Sequence, residues 1–221
     1  MAQHPTASDR GPRLDRYRWN YAAVMSSPPQ FGPNCALIVV DVQNDFADPR
    51  GTLFVPGGDR VAERAAALVE AARKQGVLVV CTQDWHPGET PHFKDYGGPW
   101  PTHCVSGTWG ADLHTLIPGW VEVVRKGQGS DDGYSGFGVR SLSTGALRPT
   151  RLPEFLSKRL IERVMVAGLA LDVCVKATAL DAVAAGLAAT LILDATAPVD
   201  LRAGDGELAV AEMMAAGVTI V

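Results

Sequence analysis

From residue 36 onward the hydrophobic and polar positions follow two alternating rhythms. Ala36-Leu-Ile-Val-Val40 is a continuous apolar, largely β-branched run, the pattern of a strand buried on both faces of a parallel sheet. Val61, Ala65, Leu68, Val69 and Ala72 then recur at helical spacing, with Asp59 as the expected cap and Gly76 as the stop. The same reasoning predicts strands over residues 77–81, 121–124, 164–167, 190–193 and 218–221. It predicts a short helix over 153–158, a longer one over 172–185 stopped by Gly186, and a last one from a capping Asp205 to Gly217. Strands that alternate with helices form right-handed βαβ units, so the expected fold is α/β: three layers, α/β/α, around a six-stranded parallel sheet.

Residues 1–33 break the rhythm. They hold four Arg, no Lys and two Asp, with several Pro and Gly and the aromatics Tyr17, Trp19, Tyr21 and Phe31. That is too polar for a core segment and too aromatic for a plain disordered tail. The expectation is a partly extended N-terminal arm (1–33), either frayed or packed on its own or a neighbouring subunit, ahead of one domain over 34–221.

Composition narrows the class. A chain of 221 residues suits one α/β domain that buries its own core. The net charge of −4 supplies no basic field for nucleic acid or an anionic membrane surface. No apolar run reaches the roughly 18 residues of a membrane span, and no signal-peptide core opens the chain, so the expected location is cytoplasmic. There the four cysteines, Cys35, Cys81, Cys104 and Cys174, read as thiols and not as a disulfide framework.

Candidate chemistry collects at predicted strand ends. In open α/β sheets, ligands bind outside the carboxyl ends of the strands. Asp41 follows the first strand, Asp84 and His86 the second, Lys126 the third, and Cys174 stands on the first turn after the fourth. Three of the five histidines (His86, His92, His103) and three of the five tryptophans (Trp85, Trp100, Trp109) lie within residues 85–109. Loops that concentrate rare, reactive side chains carry sites. Cys174 is the candidate nucleophile: a helix N-terminus and a nearby lysine would lower its pKa, and a carboxylate could take its proton. A free cysteine is more often an inert packing group, and Cys35, Cys81 and Cys104 keep that reading. Asp41, at the end of an apolar strand, is expected to be partly desolvated and poised for proton transfer, while Asp45 is the better choice for bonding loop amides. Asp84, His86, His92 and His103 are ligand types for Zn²⁺, Fe²⁺ or Mn²⁺, and otherwise surface histidines beside a cap.

With these residues in place, the sequence resembles the nicotinamidase/pyrazinamidase family of the isochorismatase-like hydrolases. The resemblance runs from about residue 36 to 221. It rests on Ala36-Leu-Ile-Val-Val-Asp-Val-Gln-Asn-Asp-Phe46, Asp84-Trp-His-Pro87, Gly98-Pro-Trp-Pro-Thr-His-Cys-Val105, Lys126 with Tyr134-Ser-Gly-Phe137, and Cys174-Val-Lys-Ala-Thr-Ala-Leu-Asp-Ala182. It implies a catalytic triad of Asp41, Lys126 and Cys174. It also implies a cis bond between Leu169 and Ala170, with an oxyanion hole from the amides of Ala170 and Cys174. Asp84, His86 and His103 would hold one divalent transition metal, Zn²⁺ before Fe²⁺ or Mn²⁺, and His92 stands where some members carry a fourth ligand. Phe46, Trp100 and Tyr134 would flank the substrate ring. The implied activity is hydrolysis of nicotinamide, and of pyrazinamide, through a cysteine thioester. The partner is a small-molecule amide, with neither nucleic acid nor membrane, and homo-oligomers are compatible with it. Leu171 stands where the family often has Thr, and Val173 where it often has an aromatic or His, so the departures fall beside Cys174. The rival readings are a related amidase for carbamoyl or aliphatic amides without a ring-anchoring metal, a metal-water hydrolase with a structural Cys174, and a non-catalytic binding module.

Overall fold

The computed structural model describes residues 30–221. The main sheet contains β1 (Cys35–Val40), β2 (Leu78–Asp84), β3 (Glu122–Lys126), β7 (Arg163–Leu169), β8 (Ala188–Ala197) and β9 (Thr219–Ile220). All its pairings are parallel, in the order β3-β2-β1-β7-β8-β9. The chain builds outward from β1 to one edge, then returns to build outward from β7 to the other. The order therefore reverses between β1 and β7, where two loops leave in opposite directions and open a crevice at the strand ends.

Every residue of β1 is buried, and alternate positions face opposite sides, as a period of two requires. Leu37 and Val39 pack with Val61, Ala65, Leu68 and Ala72 of α2 (Gly58–Lys74). Ala36, Ile38 and Val40 pack with Leu152 and Leu156 of α3 (Leu152–Lys158), Ala179 of α4 (Lys176–Ala184) and Met213 of α5 (Asp205–Ala215). Two cores on the two faces of one sheet make the three-layer α/β/α architecture. Each fully buried Leu or Ile contributes about 1.5–3 kcal/mol to holding it.

Several details differ from the sequence expectation. Asp59 and Asp205 do not cap their helices; the caps are Gly57 and Gly204, in the left-handed region at φ 86° and 95°, and each aspartate lies in the first turn beyond. There its charge still complements the helix dipole. Lys126 is the last residue of β3 and Asp84 the last of β2, so both lie within their strands and not past them. The helix expected over 172–185 opens with a wide π turn, Leu171–Val175, before α4. A one-turn α1 (Asn44–Ala47) and a small antiparallel sheet of β4 (Asp131–Asp132), β5 (Gly138–Ser141) and β6 (Leu147–Pro149) have no counterpart in the expectation. These strands are two to four residues long and mostly polar, so no apolar alternation announces them. Residues 1–29 of the expected arm lie outside the described residues. Phe31 packs on the α2-side core, and its amide donates to Gln75 Oε1 at 3.2 Å.

Candidate active site

Asp41 leaves β1 with φ 47°, a left-handed conformation that turns the chain sharply at the strand end. The turn buries its carboxylate against the neighbouring strand, where Thr82 Oγ1 donates to Oδ1 at 2.6 Å and accepts from the Asp41 amide at 3.2 Å. Lys126, on the far side of β2, reaches back: its Nζ lies 2.8 Å from Asp41 Oδ2, 2.5 Å from Asp84 Oδ1 and 3.5 Å from Cys174 Sγ. Lys126, Asp41 and Asp84 are each at least 96 % buried, so the charges meet with little water to screen them. Cys174 arrives on the π turn after β7, and the peptide that leaves the strand ahead of that turn, Leu169–Ala170, is cis. Its Sγ and one oxygen each of Asp41 and Asp84 fall within 4.8 Å of one another.

The protonation states follow from burial and charge. Burial pushes the Asp41 carboxyl up, and the Lys126 ammonium opposes that without cancelling it. Burial also disfavours a charged Asp84, but Lys126 and the histidines His86 and His103 outweigh it and keep the carboxylate ionised. Burial works against the Lys126 ammonium too, yet Asp41 and Asp84 hold its pKa well above the ordinary lysine value. The expected low-pKa thiolate is not found. Burial raises the Cys174 thiol well above its ordinary value; the Lys126 ammonium opposes that, while Asp41 and Asp84 add to it. The resting group is a neutral thiol beside a carboxylate. Asp41 Oδ2 has no donor aligned on it apart from the Lys126 contact, which leaves a lone pair open to a proton.

The second cluster is built by the loop between β2 and β3. The His86 amide donates to Cys104 O at 3.0 Å, and Lys94 and Gly98 donate to Trp100 O and Phe93 O at 2.7 and 2.8 Å. This folds residues 86–105 into a double layer that places His86, His92 and His103 around Phe93. Phe93 is fully buried and meets the three imidazoles nearly edge-on at centroid distances of 5.5–5.9 Å. One nitrogen from each histidine lies within 4.8 Å of the others. His103 Nδ1 is held at 2.7 Å by Pro101 O, which leaves Nε2. Burial depresses the His103 pKa to about 4, so the ring is neutral at physiological pH. Both ring nitrogens of His86 are buried with no hydrogen-bond partner, although Nε2 lies 3.8 Å from Asp84 Oδ2. Partnerless, buried imidazole nitrogens beside the neutral His103 and a carboxylate are the donor set of a divalent metal, which the residues fit well.

Between the clusters lies a small, half-open cleft. Asp84, His92, His103, Ala170 and Cys174 line its polar side, and Phe46, Leu53, Val55, Val173 and Val199 its apolar side. Trp100 and Tyr134 close one end, with Trp100 Nε1 donating to Tyr134 Oη at 3.0 Å. Every site residue expected from the sequence therefore borders one cleft or touches a residue that does. Reading for reactive side chains overlooked Thr82, Phe93, Gln43 and Asp132. Gln43 Oε1 accepts the Asp84 amide at 2.8 Å while its Nε2 donates to Asp84 O and Ala111 O, also at 2.8 Å, so it clamps the backbone under the putting-in point of Asp84. Asp45 does the structural work expected of it, accepting the amides of Cys104 and Thr52 at 2.7 and 3.0 Å.

The chain matches the Isochorismatase domain over residues 35–221. It belongs to the isochorismatase family. Its relatives in that family include the nicotinamidase/pyrazinamidase of Mycobacterium tuberculosis, 42 % identical over 192 residues that span 84 % of this chain and 97 % of the relative. Among solved structures, the pyrazinamidase of Pyrococcus horikoshii in complex with zinc superposes with a TM-score of 0.76 at 38 % identity, covering 86 % of this chain and 99 % of that one. An L. infantum protein in complex with nicotinate superposes with a TM-score of 0.75 at 36 % identity, covering 85 % and 91 %. Isochorismatase-family membership and amide-hydrolysing relatives agree with a cleft that carries a thiol, a carboxylate and an ammonium at one point.

Proposed function

We propose that this chain hydrolyses the carboxamide of nicotinamide to nicotinate and ammonia, with pyrazinamide as a second substrate. The observation that carries the reading is the pairing of two clusters at one cleft: Cys174 with Asp41 and Lys126 on one side, three buried histidines on the other. The amide carbon is placed at Cys174, and the pyridine ring lies between Phe46, Trp100 and Tyr134, with its nitrogen toward the histidines.

Because the Cys174 thiol is neutral at rest, its proton moves to Asp41 Oδ2 as Sγ attacks the carbonyl carbon. The amides of Ala170 and Cys174 receive the developing oxyanion, a contribution of about 3 kcal/mol per donor at comparable sites. Asp41 returns the proton to the amide nitrogen, the C–N bond breaks and ammonia leaves, so that a thioester to Cys174 remains. Water, deprotonated by Asp41, attacks the thioester, and the thiol and nicotinate are released. Lys126 stays charged throughout and offsets the negative charge that passes between Asp41 and the substrate. Asp84, His86 and His103 would hold a divalent metal, zinc in our reading, with His92 as a fourth ligand. When bound, the metal supplies a Lewis-acid position for the pyridine nitrogen. The domain carrying this chemistry spans residues 34–221.

The test is ammonia release from nicotinamide by the wild type and by Cys174→Ala, each with and without a chelator. Turnover that falls at least a thousandfold in Cys174→Ala and returns in the chelated wild type on adding zinc supports the reading. Comparable rates for the two proteins would sink it. Turnover indifferent to the chelator would move the assignment to an amidase without a ring-anchoring metal.

A further inference from the structure

The three histidines of the cleft differ in what stands behind them. His86 has no partner at either nitrogen, and His103 Nδ1 faces the neutral carbonyl of Pro101. His92 Nδ1 has no aligned hydrogen bond either, but it lies 2.9 Å from the carboxylate oxygen Oδ1 of Asp132, a close ion-pair contact. That same oxygen accepts the Gly133 amide at 2.8 Å, which fixes the carboxylate in place. Asp132 sits on β4 of the small antiparallel sheet, paired in register with Arg140 of β5, and is only 26 % exposed in its side chain. The His92 ring is 96 % buried and stacks on His86 with centroids 4.4 Å apart and planes 20° from parallel. With Nδ1 turned to Asp132, Nε2 is the nitrogen His92 has left, and His92 lines the cleft.

We propose that Asp132 is a positioning residue of the metal site: its carboxylate holds the His92 ring with Nδ1 protonated and outward, so that Nε2 serves as the fourth protein ligand. The proposal rests on the reading of Asp84, His86 and His103 as metal ligands. A carboxylate behind a ligating imidazole selects one tautomer, fixes the ring and raises the basicity of the ligating nitrogen. Among the three histidines only His92 has a carboxylate oxygen within 3 Å of a ring nitrogen; the nearest to His86 is 3.8 Å away. The small sheet thereby gains a function. It brings Asp132 to His92 and, two residues later, Tyr134 to Trp100, so both the metal side and the ring side of the cleft depend on it.

The experiment is a zinc titration of the full-length, metal-stripped chain against a chromophoric chelator, for wild type, Asp132→Asn, Asp132→Glu, Asp131→Asn and His86→Ala. Asp131 is adjacent but pairs with Arg148 at the surface, and so serves as a control. The expected result is zinc affinity about 10–100-fold weaker in Asp132→Asn, partly recovered in Asp132→Glu and unchanged in Asp131→Asn. Alongside, the metal-free Asp132→Asn protein should keep the wild-type unfolding midpoint and the wild-type rate of Cys174 alkylation by iodoacetamide. A general structural role would move both. Affinity in Asp132→Asn within threefold of wild type overturns the proposal, and so does a lowered midpoint in the metal-free variant. Zinc binding lost in His86→Ala but intact in Asp132→Asn overturns this inference alone, whereas a wild-type chain that binds no zinc overturns the metal reading with it.

Discussion

At the scale of single residues the site is governed by charges without water. Lys126 is 99 % buried between Asp41 and Asp84, and its removal leaves two carboxylates facing each other in the interior. Lys126→Met should therefore lower folding stability by about 3–5 kcal/mol, read as a shift in the urea midpoint, as well as abolish turnover. A purely catalytic lysine would leave the midpoint alone. His103 makes a second prediction through pH. Its pKa is pushed down by burial from near 6.5 to about 4, so in that interval the unfolded chain binds a proton that the folded, metal-free chain does not. His103 thus contributes stability that is present above pH 6.5 and lost as the pH falls toward 4, at most about 3 kcal/mol. Urea unfolding of the chelated protein between pH 7 and pH 4 should show that slope, and His103→Gln should flatten it. An equal slope in the variant would assign the acid sensitivity to another group.

At the scale of elements, the strands that carry the site were legible and the loops that complete it were not. β1, β2 and β7 are strands of six or seven residues that each contain an apolar run, and a side chain at the carboxyl end of such a strand lies at the sheet edge whatever else the chain does. That is why Asp41, Asp84 and Cys174 could be placed from sequence, and why Asp132 could not: it sits on a two-residue polar strand within a glycine-rich loop. The helix caps failed for a related reason. Asp59 and Asp205 are good cap residues, but each follows glycine that enters the left-handed region at no steric cost and takes the cap position itself. The altered thiol was also beyond the sequence, because its pKa is set by burial and two carboxylates and not by its place on a helix. One glycine shows how tightly the loops press on the site. Gly127, just past β3, has φ 72°, and a Cβ there would lie 2.5 Å from His86 Cε1 and 2.7 Å from Nδ1. Gly127→Ala should displace His86 and weaken zinc binding at least tenfold, while Cys174 alkylation continues at the wild-type rate. Gly129→Ala, at φ 61° with open space around it, should cost only the left-handed conformation, about 1–2 kcal/mol, and leave zinc binding unchanged. Equal zinc affinities in the two variants would mean that His86 does not ligate the metal.

At the scale of the whole molecule, the cleft and both cores are built, among the described residues, from Phe31 onward. The two faces of the sheet are covered by its own helices, and the strand order reverses between β1 and β7, so the crevice exists as soon as these six strands pair. The family match covers residues 35–221, so folding and chemistry should be separable from residues 1–29 but not from the few that follow. Phe31 packs beside α2 and the Asn34 carbonyl accepts the amides of Glu162 and Arg163 at 2.9 and 3.1 Å, which ties the entry of β1 to the entry of β7. A chain beginning at residue 30 should keep nicotinamide turnover within about twofold and its unfolding midpoint within a few degrees. A chain beginning at Cys35 loses one partly buried aromatic and two hydrogen bonds at the junction of the β1 and β7 entries. It should be less stable by about 2–4 kcal/mol, with turnover per folded molecule preserved, because the ties lie at the opposite end of the strands from the cleft. Scanning calorimetry and ammonia release on the two truncations separate these outcomes. Loss of turnover in the first truncation at unchanged stability would show that residues 1–29 act on the site directly, and would move the boundary of the catalytic unit to the start of the chain.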